Sequence, residues 1–238
     1  MAHDIDESQY KAVRNAGFLY FLMAFTAPVA VIYVPGKIIV PDDAAATVEH
    51  LRTSEQLMRI GIGCELIYPV IAVFLALALY RLFKPVNEIQ AKLLVIFGAL
   101  VSVPIMFFNV LNEIAALILV SGAGFLSAFE KSQLDALALL FIRLHHHGTG
   151  IAAIFWGLWL FPFGILILQS GFIPRILGIL LFIAGSAYVC SSMSMFVLPQ
   201  YEQIVSQYAT YLEILEMPTV FWFIIRGLRP LSRTKREK

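Results

Sequence analysis

Long apolar stretches alternate with short polar breaks along the chain, and six of the stretches are long enough to cross a bilayer: 17–34, 60–82, 93–120, 148–168, 176–198 and 208–225. A crossing helix needs about 20 mostly apolar residues to span a hydrocarbon core roughly 30 Å thick. The pattern therefore predicts an all-α, polytopic integral membrane bundle of six transmembrane helices. The first stretch follows an acidic leader, HDIDESQ, and exceeds the usual apolar region of a secretory signal, which predicts a retained span.

Local signals refine the ends and shapes of these helices. Val34, Pro35 and Gly36 are expected to close the first span, and Pro41, Asp42 and Asp43 before AAATVEHL predict a short extracytoplasmic helix. Thr53 with Gln56 three residues later has the pattern of a capping box for the second span. The mostly apolar segment 132–147 either lies flat at the interface or extends the fourth span outward. Pro28, Pro69, Pro104, Pro162 and Pro218 fall inside spans and predict kinked helices, since each removes a backbone hydrogen bond.

Glycines carry a second pattern. Gly150, Gly157 and Gly164 recur every seven residues in the fourth span, and Gly178 and Gly185 do so in the fifth, with Ser192 continuing the row. Seven residues are nearly two helical turns, so each row forms a smooth stripe where another backbone can approach. The short connection QSGFIPR makes these two helices antiparallel neighbours, so the stripes are expected to face each other or a shared third helix.

Composition agrees with lipid as the solvent. Hydrophobic residues make up 60% of the 238 and charged residues 14%, against roughly 45–50% and 25% in soluble domains. A formal net charge of +1 supplies no field to attract nucleic acid. Cys64 and Cys190 both lie in apolar runs and form no secreted disulfide framework. When the loops are assigned to alternate sides, 12 of the 17 Lys and Arg fall on the side of both termini. That bias predicts cytoplasmic ends. The chain reads as a single transmembrane domain over 1–238: a cytoplasmic segment 1–16, a bundle 17–227, and a basic tail 228–238 suited to anionic lipid.

Polar residues inside the spans are the functional candidates, because an ionisable group at mid-depth costs at least about 2.5 kcal/mol. Glu65 in the second helix, Asn109, Asn112 and Glu113 in the third, His145 to His147 before the fourth, Ser191, Ser192 and Ser194 in the fifth, and Glu213 and Glu216 in the sixth are all expected in the outer third. The inner halves are almost wholly apolar. This describes an outward-facing polar pocket, not a conduit. Imidazole and carboxylate are ligands for zinc and similar divalent metals, so His145 with Glu65, Glu113 and Glu216 is a candidate metal set. The same residues with Asn109 and Asn112 could instead hold a small molecule, a lipid head group or a protein partner. The asparagines also have a structural reading as hydrogen-bonded glue between helices. Three functions follow: a non-enzymatic binding protein, a metal-assisted hydrolase, and a transporter, the last disfavoured by the apolar inner halves. Convergence of one histidine and two carboxylates would favour the metal-assisted reading over the first.

The succession VPGKIIVPDDAAAT, SEQLMRIGI, LYRLFKPVN, FNVLNEIAALILVSG, LHHHGTGIAAIFWGLWL and QSGFIPRILGILLFIAGSAY resembles the uncharacterised bacterial membrane-protein family catalogued as domain of unknown function four-three-eight-six. SGFIPRILGILL is its most distinctive stretch. The resemblance covers nearly the whole chain to Arg226 and implies a multi-spanning protein of the bacterial inner membrane, with no activity attached. Asn109, Asn112, His145 in an LHxxG pattern, Gly148, Pro174, Arg175 and Glu216 fall at motif positions of the family. His146 and His147 look particular to this chain, which favours His145 as the ligand.

Overall fold

A computed structural model describes residues 7–40 and 43–228, and no strand occurs among them. The first helix, α1 (Glu7–Pro28), continues through a π turn (Val29–Tyr33) into α2 (Val34–Ile38). Pro35 therefore does not end the span: it sits in the first turn of α2, where its missing N–H is least costly. Asp43 then caps α3 (Ala44–Thr53), its carboxylate accepting from the Ala46 N–H at 2.8 Å. This is the short helix expected there, although Pro41 and Asp42 lie outside the described residues. Next comes α4 (Glu55–Phe83), whose start owes nothing to the expected capping box. Thr53 closes α3 instead, donating to the Glu49 carbonyl at 2.8 Å.

The third long helix consists of α5 (Glu88–Val95), a π turn (Ile96–Val101) and α6 (Ser102–Val120). The fourth, α7 (Lys131–Ser170), is one unbroken helix of 40 residues. At 1.5 Å per residue it is about 60 Å long, twice the thickness of a hydrocarbon core. This decides the segment 132–147, which belongs to the same continuous helix as the fourth span. Arg52 of α3 meets Asp135 near the start of α7 at 2.6 Å. Gly171, with φ of 74°, closes α7, and α8 (Arg175–Val197) returns beside it.

Among the described residues, five helices are long and apolar enough to cross a membrane: Tyr10–Ile38, Glu55–Phe83, Glu88–Val120, Lys131–Ser170 and Arg175–Val197. Phe18, Phe25, Ile32, Phe74, Leu100 and Phe108 on these helices are 57–74% exposed, as a lipid-facing surface requires. The sixth apolar stretch is divided between α9 (Glu202–Glu213), a 3-10 turn (Ile214–Glu216) and α10 (Met217–Leu228). Pro218 supplies the reason, since it cannot donate to the Ile214 carbonyl four residues before it. The basic tail expected at the C-terminus lies beyond the described residues.

Glycines set two close helix crossings. A methyl group placed on Gly157 would stand 2.7 Å from the Gly185 carbonyl oxygen, and one on Gly178 would stand 2.8 Å from that of Gly164. The two seven-residue stripes therefore face each other directly. At Gly150 the row meets Met195 and Phe196 instead of Ser192. In the second crossing, Gly17 abuts the Phe223 carbonyl while Gly227 lies against the backbone of Arg14, so α10 runs antiparallel to α1. The start of α1 and the end of α10 thus share one end of the bundle, here the terminal face. The opposite end is the distal face.

The core changes character along the bundle axis. Toward the terminal face, Leu75, Leu79, Leu82, Phe83, Leu160 and Phe163 form a large apolar cluster. Toward the distal face, Val34, Ile38, Leu51, Met58, Ala138 and Ile142 pack α2, α3, α4 and α7 together. Between the two layers lies a group of buried polar side chains.

Candidate functional site

Three helices bring Glu65, Glu113 and His145 together. Glu65 projects from α4, Glu113 from α6 and His145 from α7, and one ligand atom from each lies within 4.8 Å of the others. Both Glu65 carboxylate oxygens are 3.0 Å from His145 Nε2. Glu113 Oε1 is 3.7 Å from the same nitrogen. The side chains of Glu65 and Glu113 are 3% and 4% exposed, so water does little for either carboxylate. Two carboxylates and one imidazole removed from water at this spacing need protons or a cation to balance their charge.

The backbone that carries His145 is held by neutral polar groups. Asn109 Nδ2 donates to the His145 carbonyl at 2.9 Å and to Thr149 Oγ1 at 3.1 Å. Asn112 Nδ2 donates to Asn109 Oδ1 at 3.1 Å, and Thr149 Oγ1 donates to the His145 carbonyl at 3.1 Å. Gly148 makes room for this, because a side chain there would overlap the Asn109 amide. The glue reading of Asn109 thus agrees with its contacts: it joins α6 to α7 and orients the turn that presents the imidazole. Asn112 supports it from the same helix.

Two buried polar atoms beside the cluster have no hydrogen-bond partner: Glu113 Oε2 and the Tyr68 hydroxyl. Tyr68 lies one turn after Glu65 on α4, near enough for the charges of Glu65 and Glu113 to act on it. It is close to both carboxylates yet bonded to neither. Buried orphans are rare in folded proteins and commonly mark a water or ion. Sequence reasoning passed over Tyr68 because tyrosine is common in membrane helices. The readable signal was its spacing, three residues from an intramembrane glutamate.

A cavity of about 80 Å³ opens against the cluster. Val31, Val34, Ile38 and Met58 form its apolar wall, and Glu113, His145, His146 and Thr149 its polar side. It has room for water molecules. His146 reaches away from the cluster to Glu202 at 3.6 Å, and the His147 ring lies 6.0 Å from that of Phe196.

Glu216 is not brought to this site. It accepts from the Tyr188 hydroxyl at 3.3 Å, with Tyr20 of α1 close by. The registers of α10 on α1 and of α1 on α4 place it roughly 10 Å nearer the terminal face than Glu65. It therefore does not share the level of Glu65 and His145, because α9 packs beside α8 before the 3-10 turn sends the chain along α1. Ser194 is satisfied within its own helix, donating to the Ser191 carbonyl at 2.7 Å. Cys64 and Cys190 are free thiols.

The set of Glu65, Glu113 and His145 suits a divalent cation. Tetrahedral zinc with bonds of about 2.0–2.1 Å separates its ligands by about 3.3 Å, close to the spacing around His145 Nε2. The two carboxylates would neutralise the ion, and one coordination position would remain for water.

Comparison with known proteins adds identity but no activity. The profile of the family described as "Domain of unknown function (DUF4386)" matches residues 15–227. A protein of Archaeoglobus fulgidus described as "Uncharacterized protein" is 29% identical over 174 residues, covering 70% of this chain and 87% of the relative. No solved structure matches.

Proposed function

We propose, for a chain that belongs to the family described as Domain of unknown function (DUF4386), that it is an integral membrane protein that binds one divalent cation through Glu65, Glu113 and His145. The observation that carries the reading is the convergence of these three side chains from three helices, with Glu113 Oε2 and the Tyr68 hydroxyl left without partners. A bound ion with its water would satisfy both orphans. The size of the cavity also supports an ion over an organic ligand, since about 80 Å³ is well below the roughly 300–1,000 Å³ of small-molecule sites.

Metal-assisted hydrolysis is the second reading, favoured by the space for water beside Glu113. A metal would bring the pKa of a bound water to about 7, and Glu113 would accept its proton. The apolar packing of Leu75, Leu79, Leu82, Leu160 and Phe163 between α4 and α7 supports a one-sided site over a transport route. The Lys and Arg bias toward the side of the termini supports an inner-membrane protein with both ends in the cytoplasm.

Elemental mass spectrometry of the detergent-purified protein, after equilibration with zinc and removal of excess, tests the reading. One ion per chain is expected in the parent and in Glu216→Ala, and none in His145→Ala or Glu113→Gln. No ion in the parent, or equal content in all four proteins, would overturn it.

A further inference from the structure

The cluster is buried, so a hydrated ion must exchange its water for protein ligands on the way in. The structure holds a second imidazole–carboxylate pair on that way. His146 lines the same cavity as Glu113, His145 and Thr149, so one space connects the two histidines. Unlike His145, its side chain is 60% exposed, and its Nε2 lies 3.6 Å from Glu202 Oε1, itself 34% exposed. Glu202 opens α9, so the pair spans two helices at the distal end. His147 packs against it, with ring centroids 5.8 Å apart. Glu113 also lines this cavity, and its Oε2 is buried and without a partner, a free ligand atom for a cation.

We propose that His146 and Glu202 form an outer cation station that passes a divalent ion to Glu65, Glu113 and His145. The inference rests on the reading of that inner cluster as a metal site. A station exposed on one side and open to the cavity on the other lets the ion replace its waters one or two at a time. It also gives a role to the consecutive histidines, which a helix points in different directions, roughly 100° apart. One serves the buried site and the other its approach.

A station on the path changes rates and leaves the equilibrium alone. The full-length protein in detergent is mixed with Co²⁺, and loading is followed by absorbance in stopped flow; release is followed after adding excess chelator. His146→Ala and Glu202→Gln are expected to slow loading and release by the same factor, about tenfold, the lower end of rate gains from electrostatic focusing. Stoichiometry and affinity stay at the parent's values. His146→Asp separates a station from a structural ion pair: a carboxylate there ligates cations and restores fast loading, whereas a pairing role with Glu202 would be lost to like-charge repulsion. Parental rates in His146→Ala would overturn the inference, as would a loss of stoichiometry matching that of His145→Ala. A parent that takes up no Co²⁺ would remove the inner site and its approach together. A parent that binds, with variants that load at its rate, would sink the station alone.

Discussion

Gly148→Ala tests the support of the site most directly. The added methyl would occupy the space of the Asn109 amide and expel it. Expulsion breaks three hydrogen bonds: Asn109 to the His145 carbonyl, Asn109 to Thr149, and Asn112 to Asn109. Hydrogen bonds between membrane helices average about 0.6 kcal/mol each, so their loss costs about 2 kcal/mol. An amide left buried without partners adds about 1–3 kcal/mol. Asn109→Ala loses the same three bonds but leaves no orphan amide, so it costs about 2 kcal/mol. In that background Gly148→Ala has nothing to strike and gains helix propensity, worth up to about 1 kcal/mol. The substitution therefore changes sign with its background, and the coupling energy of the double mutant is about 3–5 kcal/mol. Unfolding in mixed micelles titrated with denaturing detergent, read by circular dichroism, measures all four corners. Additivity within about 0.5 kcal/mol would refute the reasoning, because it would mean that the methyl never reaches the amide.

Two further outcomes follow from the same geometry. Tyr68→Phe removes a buried hydroxyl without a partner, so the metal-free protein gains about 1 kcal/mol by the same titration while metal retention weakens; a loss of metal-free stability would show that the hydroxyl is already satisfied. Gly157→Ala brings a methyl within 2.7 Å of the Gly185 carbonyl oxygen and costs about 1–3 kcal/mol through separation of α7 from α8, whereas a cost under about 0.5 kcal/mol would show that the crossing yields freely.

Much of this arrangement was legible in the residues because it depends on periodicity. The apolar stretches located the long helices, and the seven-residue glycine rows identified the face that α7 turns to α8. Glu65, Glu113 and His145 were readable as candidates because each is polar in an apolar run. Their convergence was not readable, since it depends on how α4, α6 and α7 rotate about their own axes. Glu216 was placed by counting into a sixth span beginning at residue 208, and its level in the bundle depends on where that stretch turns. The 3-10 turn before Pro218 displaces it toward the terminal face. The capping pattern at Thr53 failed for a related reason: a chain that is already helical offers the threonine hydroxyl a carbonyl four residues back, and that bond formed instead of the cap.

The antiparallel seam of α1 and α10 has a consequence for how the protein is made. α1 completes its packing only against α10, which follows about two hundred residues later. At roughly 5–20 residues per second, that leaves Gly17 facing something other than Phe223 for about 10–40 seconds. During that interval α4 arrives and covers part of the α1 surface, while the groove reserved for α10 is filled by lipid or by the insertion machinery. Closing this seam is therefore a displacement, in which α10 evicts a temporary occupant from the face of α1.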